Sequence, residues 1–158
     1  MELIMNFPLV ASFIAIFFAQ FVKVPITFIA TGRVDWSLLT STGGMPSSHS
    51  AAVTALATAV GYESGVQSPL FAVSVIFAII TMFDAKGVRR QAGEQAAVLN
   101  QLVHDFTTFV NEAKKWPHQE NQQKQKKLKE LLGHKPIEVF FGAITGIVIS
   151  ILLHFWVY

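Results

Sequence analysis

The sequence contains no cysteine, and charged residues fill only 14% of its 158 positions. Soluble domains carry about 25% charged residues, so the depletion is almost twofold. The lack of cysteine excludes a disulfide scaffold and any cysteine-based metal or redox centre. The scarcity of charge excludes a disordered chain and argues against a coiled coil. What the sequence has in abundance is apolar: 52% of residues are hydrophobic and the mean hydropathy is +0.47. A chain this short cannot bury that much apolar surface in one water-soluble core. The composition therefore predicts an all-α integral membrane protein, one domain over residues 1–158.

Three apolar runs stand out. Phe7 to Val22 is polar only at Ser12 and Gln20 and ends at Lys23. Pro69 to Phe83 is interrupted only by Ser74 and Thr81, and ends at Asp84 and Lys86. Pro136 to Tyr158 is the longest, broken by Glu138, Thr145, Ser150 and His154. A fourth stretch, Ser47 to Tyr62, is rich in alanine and small polar residues and reads as a helix packed among others. Crossing a bilayer takes about 20 residues, which predicts a helical bundle of about four transmembrane helices, near residues 5–23, 47–63, 68–85 and 136–157. Gly142 and Gly146 form a GxxxG pair suited to close helix packing. The start, Met1-Glu2-Leu3, lacks a basic segment and no small-residue cleavage site follows the first run. That run therefore reads as a membrane helix and not as a signal peptide.

The polar insertion covers about residues 88–133. Leu99, Leu102, Val103, Phe106 and Val110 recur at helical spacing and predict an amphipathic helix over Ala96–Val110. After Pro117, the Gln/Lys-rich stretch from Asn121 to Leu132 predicts a second one, with Lys124, Lys126, Lys127 and Lys129 on a solvated or lipid-surface face. All 12 Lys and Arg lie between Lys23 and Lys135, in segments that four spans place on one side. The positive-inside rule makes that side cytoplasmic and puts both termini outside a multi-pass cell-membrane protein.

Two clusters could do chemistry. In Gly43-Gly44-Met45-Pro46-Ser47-Ser48-His49-Ser50 the glycines favour a turn, and Pro46 suits the first turn of a helix. The N–H groups of Ser47, Ser48 and His49 would then form an anion site at a helix N-terminus; an ordinary capped helix with an interfacial histidine fits the same letters. In Gly133-His134-Lys135-Pro136-Ile137-Glu138-Val139, His134 and Glu138 are four apart and share a helix face. The carboxylate can hold the Nδ1 proton and leave Nε2 nucleophilic, or the pair can simply anchor the helix. Lys23, Arg33, Arg89 and Arg90 supply cations at the same predicted depth, where Asp35, Asp84 and Glu94 can support them. His104, His118 and His154 fit no such cluster, and no metal-ligand spacing appears.

In their order these segments resemble the type 2 phosphatidic acid phosphatase superfamily, which includes acid phosphatases and vanadium-dependent haloperoxidases. Lys23 and Arg33 are similar to its first motif, Pro46-Ser47-Ser48-His49 to its second, and His134 with Glu138 to the end of its third. Residues 43–50, 84–90 and 133–139 together resemble the divergent bacterial and plant branch. Val34 stands where proline normally follows the arginine, Ser48 replaces glycine and Glu138 replaces aspartate. Leu128 occupies the third-motif arginine position, leaving Arg89 or Arg90 to serve instead.

The resemblance implies a phosphatase that needs no metal and no cofactor. His134 would attack phosphorus, Glu138 would orient it and His49 would protonate the leaving oxygen. Lys23, Arg33, Ser47, Ser48 and Arg89 or Arg90 would bind the phosphate oxygens. The expected partners are membrane lipid and a phosphorylated lipid substrate, with no nucleic acid. Fewer spans than the six usual in membrane members leave room for a homodimer. A binding or transport protein for anionic headgroups is the other reading, and bound vanadate with haloperoxidase chemistry a third.

Overall fold

The computed structural model describes residues 6–41, 43–113 and 133–157, and among them the regular structure is entirely helical. Helix α1 runs from Phe7 to Thr31. The Asn6 side chain caps it by accepting the Leu9 N–H at 3.0 Å. α1 continues eight residues beyond Lys23, where the charge pattern predicts its end. Val24, Ile26, Phe28 and Ile29 keep the run apolar, and Pro25 removes one backbone donor without ending the helix. The stop comes at Gly32, whose φ of 68° is left-handed and whose N–H donates to Phe28 O at 2.8 Å.

A 3₁₀ turn over Trp36–Thr40 follows, capped by Asp35, which accepts the Ser37 N–H at 2.9 Å. Hydrogen bonding from Ser37 holds the Asp35 carboxyl below its ordinary value. The cap is therefore in place at neutral pH and lost only as pH falls through that lowered value.

Helix α2 spans Ser48–Ser64 and is capped by Ser47, whose hydroxyl accepts the Ser50 N–H at 3.3 Å. Pro46 accordingly precedes the cap instead of occupying the first turn, since the serine side chain claims the capping position. Helix α3 (Pro69–Lys86) starts on Ser68, helix α4 covers Val88–Ala113, and helix α5 covers Pro136–Val157. The second predicted amphipathic helix, with its lysine run, lies outside the described residues.

α1, α3 and α5 are long and apolar enough to cross a membrane, and α3 runs on helically into α4 apart from a break at Gly87. α2, the fourth expected span, is less apolar and, with 17 residues, about 25 Å long. It is the hub of the bundle, packed against α1, α3 and α5. Ala51 and Ala55 of α2 meet Ala15 and Ala19 of α1 and Ile149 of α5 in one buried cluster. Small side chains let these backbones approach closely. At Gly142 a Cβ would collide with the Ser47 carbonyl, and at Gly146 with the Ala51 carbonyl and Thr54 Oγ1. The GxxxG pair is thus the face by which α5 grips α2. Outward surfaces carry large apolar residues such as Phe17, Phe77 and Phe155, as a lipid-facing bundle requires.

Candidate active site

The C-terminal part of α1, the start of α2, the end of α3 and the start of α5 meet at one end of the bundle. A cavity of about 450 Å³ opens there, bordered by Gly43, Gly44, Arg90, Glu94, His134, Lys135 and Glu138. The other end brings Phe7, Tyr62 and His154 together, with His154 stacked on Tyr62 at 4.1 Å between centroids. His154 is therefore remote from the cavity, in line with its position in the sequence. His104 is exposed on α4 beside Asp105, and His118 lies outside the described residues.

His134 is built into this end by the chain turn at Gly133, where φ is 84°. Its backbone N–H donates to Ala85 O at the end of α3, 2.9 Å away, and its side chain is fully buried. One helical turn on, Glu138 Oε2 lies 3.1 Å from His134 Nδ1 and accepts the Lys135 N–H at 3.1 Å. A carboxylate at Nδ1 keeps the proton on that nitrogen and leaves the lone pair on Nε2. His134 Nε2 in turn lies 3.4 Å from His49 Nδ1, with the two rings edge to face. Glu138, His134 and His49 thus form one hydrogen-bonded line from α5 to α2. No phosphorus fits between two nitrogens at that distance, so a phosphoryl group can enter only if the rings part.

Ser47 plays a different part from the expected one. Its N–H donates to Glu138 O at 2.9 Å and its hydroxyl caps α2, so it clamps α2 to α5 instead of presenting a donor to an anion. Ser48 and His49 occupy the first two positions of α2. The positive end of that helix dipole therefore lies beside His134.

Lys23 is completely buried, its Nζ 3.5 Å from Ser41 O. Its stem packs behind Gly44, 3.7 Å from where a Cβ would sit, and Gly44 borders the cavity. Gln20, one turn earlier, donates to Leu39 O at 2.9 Å and ties the same loop to α1. Nothing in the sequence singles out Gln20 for this, because its partner is a backbone carbonyl set by the loop path.

Arg90 borders the cavity from α4, paired with Glu94 at 2.9 Å; the side chain of Arg89 lies outside the described residues. Arg33 is exposed, past the end of α1, and does not border the cavity. Eight residues of helix carry the chain about 12 Å beyond Lys23 before Arg33 is reached. Between α3 and α5, next to the same end, an apolar groove of about 400 Å³ is lined by Ile79, Met82, Phe83, Pro136, Val139, Phe140 and Ala143, with Lys86 also at its edge.

A family model described as the divergent PAP2 family matches residues 4–149. "Uncharacterized membrane protein YuiD" of Bacillus subtilis (strain 168) is 66% identical over 156 residues, covering 99% of both chains. No solved structure matches the chain. The chain belongs to the divergent PAP2 family.

Proposed function

We propose that this member of the divergent PAP2 family hydrolyses a membrane lipid phosphate or pyrophosphate through a phosphohistidine on His134. The observation that carries the reading is the line Glu138–His134–His49, with contacts of 3.1 and 3.4 Å, whose Glu138 and His134 border a cavity that Arg90 and Lys135 also border. In the first step His134 Nε2 attacks phosphorus, the bond to the leaving oxygen breaks, and His49 supplies that oxygen's proton. Water then attacks the phosphohistidine, giving up its proton to His49, and phosphate leaves. Glu138 holds the Nδ1 proton and stabilises the positive ring that forms. Arg90, Lys23 and the α2 N-terminus offset the charge on the phosphoryl oxygens. Arg33 receives no contact in this assignment, and Ser47 acts only by positioning α5.

The apolar groove between α3 and α5 supports a substrate with a hydrocarbon tail, because it begins beside Pro136, two residues from His134. The lysine and arginine bias of the first and third loops supports placing this end in the cytoplasm, with both termini outside.

The test is phosphate release by purified protein in detergent, with EDTA, across a panel of lipid phosphates. The wild type is expected to release phosphate, His134→Ala to lose about 10³-fold or more, and His49→Ala about 10²-fold or more. Full activity in His134→Ala would rule the mechanism out.

The closed contact of the two histidines and the Arg90–Glu94 pair favour one other reading, an anion-binding protein that does not cleave its ligand. It predicts saturable binding of phosphate-bearing lipid with no release, equal in the wild type and His134→Ala.

A further inference from the structure

Helix α4 has two unlike faces. Arg90, Gly93, Glu94 and Ala97 border the cavity and recur at steps of three and four, so they share one side. Leu99, Leu102, Val103 and Phe106 recur in the same way on the opposite side, and all four are exposed, by 43% to 66%. Val98 and Phe109 extend that stripe. Among the described elements α4 packs on α3 and on no other helix, so the described residues leave the stripe uncovered. A contiguous apolar stripe of this kind marks an interaction surface.

Where α4 sits indicates what covers it. α3 is long and apolar enough to cross a membrane, ends at Lys86, and α4 starts at Val88. The first turn of α4 is therefore at the level where a crossing helix leaves the hydrocarbon. Its cavity face borders His134 and Lys135, at the start of the crossing helix α5, which fixes the same level a second time. Ile80, Phe83 and Val88 are all more than 60% exposed, so the apolar surface of α3 carries over the break at Gly87 onto α4. The medium that surrounds α3 is then continuous with the medium against the stripe.

We propose that α4 is an interfacial helix, its Leu99–Leu102–Val103–Phe106 stripe set into the bilayer at the boundary of acyl chains and headgroups. Its polar face separates the cavity from lipid and holds Arg90 at headgroup depth. The helix carries two arginines against three carboxylates, so insertion is apolar and does not depend on anionic lipid.

The cysteine-free chain allows a direct test that is independent of any activity. Single cysteines at Leu99, Leu102, Val103 and Phe106, and at Gln101, His104, Asp105 and Thr108, are spin-labelled in the full chain in phosphatidylcholine nanodiscs. Collision with oxygen, which partitions into lipid, is compared with collision with a water-soluble nickel chelate. The expected result is a helical alternation: oxygen favoured at the first four sites and nickel at the other four, unchanged by added phosphatidylglycerol or salt. Equal nickel access at all eight sites would overturn the proposal in favour of water. Protection of the stripe from both reagents, with spin–spin broadening, would overturn it in favour of a second copy of the chain.

Discussion

Glu138 is the residue on which the geometry of the site turns, because one carboxylate oxygen serves two donors, His134 Nδ1 and the Lys135 N–H. Glu138→Gln removes the charge that stabilises the imidazolium and can place an amide N–H against both donors. It is expected to lower kcat about 10²-fold or more, with KM changed far less, in steady-state phosphate release. The cations divide in a way that the sequence order does not show. Arg90 faces the cavity and Arg33 does not, so Arg90→Ala is expected to lower kcat/KM about tenfold or more, while Arg33→Ala stays within about twofold of the wild type. The reverse order of effects would restore the pairing of Lys23 with Arg33 that the family pattern suggests. The His134–Glu138 pair was legible because a spacing of four fixes a shared helix face before any tertiary structure is known. The place of Arg33 outside the cavity lining is not legible in the same way, because the pattern preserves the order of residue types but not the length of helix between them.

At the scale of elements, the site depends on how closely α5 lies on α2. The Ser47 N–H bonds Glu138 O, and Gly142 permits that approach, since a side chain there would strike the Ser47 carbonyl. Gly142→Ala is expected to destabilise the fold by about 1–3 kcal/mol. Phosphate release should fall with it, as the His49–His134 line is pulled apart. The check is a denaturation midpoint measured beside activity on the same preparation; full activity with a lowered midpoint would separate the seam from the site. The GxxxG pair was visible in the letters, but its partner was not, because nothing local says which helix a small-residue face will meet. The end of α1 was misplaced for a related reason. Lysine normally marks where an apolar run reaches water, yet Lys23 is buried under a loop that only the folded chain brings over it.

The whole molecule is a bundle whose polar chemistry collects at one end. Alternation of α1, α2, α3 and α5 brings residues from 23 to 138 to that end, and leaves Tyr62 with His154 at the other. Sidedness follows from the proposed orientation. Cysteines introduced at Ser64 and Gln67 are expected to react with a membrane-impermeant maleimide on intact cells. Cysteines at Ser37 and Lys135 should react only after permeabilisation; the opposite pattern would put the cavity outside. The proposed intermediate is covalent, and one measurement detects it without reference to rate. Purified protein is mixed with a lipid phosphate carrying radiolabelled phosphorus, quenched in alkali, digested and sequenced by mass spectrometry. An alkali-stable, acid-labile phosphoryl group is expected on His134 and absent from His134→Ala. Phosphate released at the wild-type rate with no label on His134, or label retained on another residue in His134→Ala, would contradict it.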